Sequence, residues 1–196
     1  MSETLNEQRR SSARLKRIVV VGVSGAGKTT LAQQLALRLD VPHVELDALF
    51  WEANWTPVSP ELFRERVAQA LCGDYWVTDG NFSQVHDLTW GRATTVIWLD
   101  YGVRTILMRL VHRTFRRIFT REELWNGNRE SFLQGLLTRE SIIVWALKTY
   151  KEKRRRYRAA QVDPAYAQLD IIRLCTPHET QVWLSRFAIP SQAAVP

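Results

Sequence analysis

The chain has no apolar run of roughly eighteen residues, so no membrane-spanning helix is predicted. Its opening stretch, residues 1–16, is polar and charged and lacks the apolar centre of a secretory signal, so the protein is expected to be cytoplasmic. Cysteine is scarce: Cys72 and Cys175 are the only two, far apart and outside any CxxC or Cys/His cluster. That spacing excludes a zinc ribbon and a disulfide framework, and both residues are expected to be packing residues. There is no internal repeat and no low-complexity segment beyond the ends of the chain. Acidic residues are the minority, 20 against 27 Lys and Arg, leaving a formal charge of +7. Much of the excess is local, in Arg104, Arg109, Arg113, Arg116, Arg117 and Arg121, and again in Lys148, Lys151, Lys153, Arg154, Arg155, Arg156 and Arg158. Such patches attract polyanions, whether nucleic acid, acidic lipid or the phosphates of a nucleotide, and charge alone does not choose among them.

What is present suffices for one filled core: 196 residues, 45% hydrophobic. A single domain is expected over residues 17–188, between a flexible leader (1–16) and a flexible tail (189–196). The β-branched run Ile18-Val19-Val20-Val21 suits a strand buried on both faces of a parallel sheet. A glycine-rich turn follows, then Leu31, Leu35 and Leu39 with Ala32 and Ala36 at helical spacing, closed by Pro42. Further strands are predicted through His43-Val44-Glu45-Leu46, ending at Asp47, and through Tyr75-Trp76-Val77-Thr78, stopped by Asp79-Gly80. Two more are predicted at Thr94–Leu99, ending at Asp100, and at Asp170–Leu174. Between them a helix is expected from Ser59-Pro60-Glu61 onward, with serine as cap and proline at its first position. A basic helix is expected over residues 103–119, with Ile106, Leu107, Leu110 and Val111 as its apolar side. A long helical pattern follows, carrying Phe132, Leu133, Leu136, Leu137, Ile143, Val144 and Leu147, and residues 178–187 read as a closing helix. Strands alternating with helices predict an α/β fold with a five-stranded parallel sheet flanked by helices.

The segment Gly22-Val23-Ser24-Gly25-Ala26-Gly27-Lys28-Thr29 satisfies GxxxxGK[ST] and lies between a buried strand and a helix start, the context the motif requires. Its glycines let successive backbone amides turn toward phosphate oxygens, and the helix behind adds a positive dipole end. Lys28 can then reach the β and γ phosphates, and the Thr29 hydroxyl can ligate Mg²⁺. The expected nucleotide-holding set is Gly22, Ser24, Gly25, Ala26, Gly27, Lys28, Thr29 and Thr30, with ATP and Mg²⁺ as cofactors. The loop does not name the acceptor of a phosphoryl group, but no NKxD-like segment supports a GTPase, and the chain is short for a motor ATPase.

With Leu46-Asp47-Ala48-Leu49-Phe50-Trp51, Asp79-Gly80-Asn81-Phe82 and the arginine-rich segment after the fourth strand, the chain resembles the adenylate kinase-like group of P-loop kinases over residues 17–187. Among these it is most similar to the small bacterial branch known as topology modulation proteins. The resemblance implies an ATP-dependent kinase with an arginine-rich helical lid near residues 113–131, acting as a monomer or homodimer. It implies Asp79 as the metal-side carboxylate beside Thr29, with Asp100 as rival. It also implies that Arg109, four residues from Arg113 on one helix face, lies against adenine while Arg113 approaches the transferred phosphate. Arg117 joins Arg113 as a catalytic lid residue, and Arg116, Arg121 and Arg129 add lid contacts. Asp47 faces the acceptor side, either as the group that takes the acceptor's proton or as a helix-start cap. Trp51, Trp55 and Phe82 are candidates for an aromatic wall. Where adenylate kinases carry arginines for the AMP phosphate, this chain has Asn81-Phe82-Ser83-Gln84 and Ala48-Leu49-Phe50-Trp51, which speaks against AMP as the acceptor; a nucleoside monophosphate or a small hydroxylated metabolite is expected. The other reading is a nucleotide-dependent regulator whose basic helices bind nucleic acid; no recognised nucleic-acid motif accompanies them.

Overall fold

The computed structural model describes residues 15–120, 125–128 and 139–187. Residues 1–14 of the leader expected over 1–16, the tail over 189–196, Arg121, Arg129 and Phe132, Leu133, Leu136 and Leu137 lie outside the described residues; Leu15, within the expected leader, is buried in the core. So do the side chains of Arg117, Ile143, Val144 and Leu147.

In chain order the elements are β1 (Arg17–Gly22), α1 (Lys28–Leu39), β2 (His43–Glu45), α2 (Leu46–Phe50), β3 (Trp51–Glu52), β4 (Thr56–Pro57) and α3 (Pro60–Ala70). Then come β5 (Trp76–Asp79), α4 (His86–Thr89), β6 (Thr95–Leu99), α5 (Val103–Thr120), α6 (Arg139–Ala160), β7 (Asp170–Leu174) and α7 (Pro177–Leu184). Five strands form one sheet in the order β2-β5-β1-β6-β7, with every pairing parallel. The β-branched run of β1 occupies the centre. Ile18 and Val20 face one apolar cluster with Leu31, Leu35, Ile97 and Trp183, whereas Val19 and Val21 face another with Phe63, Val67, Trp76 and Trp98. That alternation follows from the period of two along a strand, and two buried faces explain why β1 carries no polar alternation.

Because the five strands of this sheet run the same way, their carboxyl ends share one edge, which brings Glu45, Asp79, Gly22 and Asp100 to a common rim. The chain leaves β1 toward one side of the sheet and later returns to its other side. The loop after β1 therefore sits at the switch point where open α/β sheets leave a crevice.

Several local expectations change. Asp47 lies inside the short helix α2 rather than at a strand end, because β2 stops at Glu45. Cys72 and Cys175 are exposed, free thiols and not packing residues. Cys72 follows the last turn of α3, and Cys175 sits where the chain turns from β7 to α7, its N–H donating to Glu179 Oε2 at 2.6 Å. Ile106 and Leu110 of α5 are buried, but Val111 is exposed, one position beyond the stripe that faces the sheet. The α3 start is as read: Ser59 Oγ accepts from the Leu62 N–H at 3.2 Å with Pro60 at the first helical position. Sequence reading passed over the antiparallel β3–β4 hairpin, whose turn carries Asn54 and Trp55 at φ of 60° and 55°. Asn128 holds this hairpin, accepting from the Trp55 N–H at 2.7 Å and donating to the Glu52 carbonyl at 2.8 Å. Among the described residues no helix is long and apolar enough to cross a membrane.

Candidate active site

The loop between β1 and α1 is built around two glycines that no other residue replaces without strain. Gly25 has φ of 81°, and a Cβ there would meet Leu110 Cγ at 2.7 Å; Gly27 has φ of 92°, and a Cβ would meet Arg109 Nη1 at 2.9 Å. Gly27 is also the N-cap of α1, so no side chain caps that helix start, and no acidic residue sits in its first turn. The free amides and the positive dipole end are left for an anion.

Lys28 opens α1, its ammonium donating to the Val23 carbonyl at 3.4 Å. Withdrawal from water, followed by repulsion from Lys153, brings its pKa down to about 8, against the attraction of Asp79 and Asp47. Next to it, the Thr29 hydroxyl donates to Asp79 Oδ2 at 2.6 Å and lies 3.4 Å from Glu45 Oε1. Asp79 is 1% exposed, and its other oxygen accepts from His43 Nε2 at 2.8 Å. Hard hydroxyl and carboxylate oxygens suit Mg²⁺. No group of three or more His, Cys, Asp or Glu among the described residues could hold a metal by itself, so this donor set fits a cation carried mainly by phosphate and water.

The rival carboxylate, Asp100, is occupied otherwise. It is buried and accepts from Arg154 Nε at 2.8 Å and from Arg173 Nε at 2.9 Å, with Arg173 Nη2 also donating, an ion cluster that ties α6 to β7. Asp100→Ala leaves two guanidinium groups without their carboxylate. It is expected to cost about 2 kcal/mol in urea unfolding, less than a fully buried pair because both arginines keep part of their surface in water.

Arg109 and Arg113 of α5 do reach the loop together. Arg109 donates to the Ala26 carbonyl at 2.9 Å while lying over the Tyr101 ring at 5.1 Å, and Arg113 Nη2 lies 3.5 Å from Ser24 Oγ. Thr30 is exposed in the first turn of α1, and Gly22 ends β1.

In α2, burial raises the Asp47 carboxyl above its usual range, against the pull of Lys28 and an indole N–H from Trp51. Burial likewise raises Glu45, which receives a hydrogen bond from Trp125. The aromatic residues beside it pack ring against ring. Trp51, Trp55 and Trp125 meet edge to face at centroid separations of 5.8 and 6.1 Å, whereas Phe82 packs with Phe50 and Phe63. Phe50 joins them, meeting Trp51 at 4.8 Å and Phe82 at 4.8 Å, so Trp51, Trp55 and Phe82 belong to one chain of rings, with Phe50 and Trp125 as members outside the expected set.

Lys153 and Arg156, read from sequence as part of a basic face, line a small pocket with Leu46, Gly80, Phe82 and His86. No carboxylate among the described residues lies within ion-pairing distance of either. The signal for Lys153 was present in the sequence: Tyr150, Lys153, Arg154 and Tyr157 recur at helical spacing, and the aromatic pair marks that face as the inner one. Tyr157 donates to Asn81 Oδ1 at 2.7 Å, and Asn81 Nδ2 donates to the Gly22 carbonyl at 2.8 Å. The asparagine standing where an AMP-gripping arginine was sought therefore joins α6 to the start of the phosphate loop.

The solved shikimate kinase of Bacteroides thetaiotaomicron superposes with a TM-score of 0.51 at 19% identity, covering 88% of this chain and 96% of that one. The fold is that of the P-loop kinases. Among curated sequences, the shikimate kinase of Gloeobacter violaceus is 29% identical over 167 residues, 77% of this chain and 88% of that protein. The shikimate kinase of Enterococcus faecalis is 47% identical over 38 residues, 19% of this chain and 23% of that protein. No family model matches the sequence.

Proposed function

We propose that this ATP-dependent phosphotransferase carries the γ-phosphoryl group of ATP to a hydroxyl of a small hydroxylated metabolite that also bears an anionic group. The observation that carries the reading is the convergence of Lys28, the Thr29–Asp79 pair and Asp47 near one rim of the sheet, with Lys153 of α6 lining the pocket beside Leu46 of α2. The amides of residues 22–29, with Lys28, Thr29 and Thr30, cradle the triphosphate. The Arg109–Tyr101 pair offers adenine a flat cationic face, and Arg113 with Arg117 counters charge on the moving phosphoryl oxygens. Thr29 directly, and Asp79 through water, are the groups that would hold Mg²⁺, which when bound neutralises charge on the β and γ oxygens.

Asp47 takes the proton of the attacking hydroxyl, and a carboxyl raised toward neutrality is better matched to that work than an ordinary aspartate. Lys153 and Arg156 receive the acceptor's anionic group in the pocket beside α2. The likeness to shikimate kinases and the missing AMP arginines support a small hydroxylated acceptor over a nucleoside monophosphate. Residues 17–188 act as one kinase domain in the cytoplasm with a lid near 113–131, and Asp79-Gly80-Asn81-Phe82 supports kinship with the topology modulation branch.

The reading is tested by following ADP release from Mg-ATP against a panel of acceptors. Sugar acids and hydroxylated ring carboxylates are expected to accelerate it, neutral polyols less so and AMP not at all. AMP as best acceptor, or no stimulation above the Lys28→Ala variant, contradicts it.

A pH effect follows from Lys28. A bound triphosphate raises the pKa of an ammonium that stands at about 8 in the free protein. Below that pH the free protein already carries the proton and affinity is flat; above it, binding must take up a proton. ATP affinity is therefore expected to fall by up to about tenfold per pH unit above pH 8. Calorimetry in buffers of different ionisation enthalpy would register the proton uptake at pH 9 and none near pH 7.

A further inference from the structure

His43 has no part in the phosphate loop, the lid or the acceptor pocket, yet it holds the carboxylate next to Thr29. It opens the edge strand β2, paired opposite Val77 of β5, while Glu45, two residues on, pairs opposite Asp79. Positions two apart share a face of a strand, so His43 and Glu45 both look toward α1, where Thr29 stands. From there Nε2 of His43 lies 2.8 Å from Asp79 Oδ1, and the Thr29 hydroxyl lies 2.6 Å from Asp79 Oδ2. A carboxylate only accepts, so the histidine proton is on Nε2 and the threonine proton points into the carboxylate, turning a hydroxyl lone pair outward. The two donors grip opposite oxygens, which fixes both the position and the twist of a carboxyl group that is almost wholly withdrawn from water.

We infer that His43 is a positioning residue for the metal side of the site. Its N–H holds one oxygen of Asp79 so that the other stays on the Thr29 hydroxyl, and the pair is oriented for a nucleotide-bound divalent cation before that cation arrives. The inference rests on the proposed function, because it presumes that Thr29 and Asp79 serve Mg²⁺. Outer-shell partners of this kind commonly govern metal affinity while leaving contacts to the remainder of the ligand untouched.

Two variants separate this role from simple support of the fold. His43→Leu keeps bulk and removes the donor; His43→Gln restores an N–H near the position of Nε2. ATP binding is measured by calorimetry with and without Mg²⁺, and Mn²⁺ binding to the ATP complex by electron paramagnetic resonance. For His43→Leu, affinity for metal-free ATP is expected to stay at the wild-type level while divalent-cation affinity drops by about tenfold to a hundredfold; His43→Gln is expected to recover most of that loss. Unchanged cation affinity in His43→Leu overturns the inference and leaves the kinase reading standing. Parallel loss of metal-free and metal-dependent binding, or a glutamine variant no better than leucine, also overturns it, since the histidine would then serve the fold or act by shape. Wild-type protein whose ATP binding ignores Mg²⁺ overturns both this inference and the reading beneath it.

Discussion

Lys28→Ala is expected to lower kcat/KM by about a thousandfold, roughly 4 kcal/mol of transition-state stabilisation. Its ammonium opens α1 directly behind the loop, is held by the Val23 carbonyl and has been drawn out of water, where a charge acts more strongly on a phosphoryl oxygen than it would in solvent. Arg113, carried by α5, lies 3.5 Å from Ser24 Oγ and Lys153 is carried by α6, so neither stands at the start of α1 where Lys28 does. The same change should leave the fold intact or slightly firmer, because it removes a desolvated cation that repels Lys153. Steady-state ADP release read beside a thermal melt checks both halves. A loss of activity that tracks a fall in Tm would mean that Lys28 supports the structure and not the chemistry.

Asp47→Asn is expected to reduce kcat by about a hundredfold to ten-thousandfold while ATP affinity stays near the wild-type value. Asparagine keeps the shape of α2 and can still accept a hydrogen bond from Trp51, but it cannot take a proton. The pH profile supplies an independent reading. Burial holds the Asp47 carboxyl above its ordinary pKa, and the base works only when ionised, so kcat should decline as pH falls through that raised value. The asparagine variant should lack this acid limb. If its residual rate follows the same limb, Asp47 is a helix-start residue and the proton goes elsewhere.

What the sequence disclosed and what it hid differ in range along the chain. The phosphate loop was readable because glycines, lysine and threonine act within eight residues and the flanking β-branched run and helical leucines set their context. The parallel sheet was readable from the alternation of apolar strands with helical periods. Asp79 and Asp100 could not be separated that way: each ends a buried strand, and those strands flank β1 on either side. What distinguishes them is distant, since Arg154 and Arg173 come from 54 and 73 residues further along to occupy Asp100, and Thr29 comes from 50 residues earlier to meet Asp79. Lys153 was lost in a run of basic residues whose solvated members concealed the inward one. Cys72 and Cys175 were misread because cysteine is usually buried, a tendency that yields when the residue falls just past the end of a helix or strand.

Isothermal calorimetry of the purified protein with Mg-ATP tests the central claim most directly. One nucleotide per chain is expected to bind with Mg²⁺ strengthening the interaction, and Lys28→Ala should weaken it sharply. Absence of any binding heat with Mg-ATP, in a protein that melts cooperatively, would contradict the account.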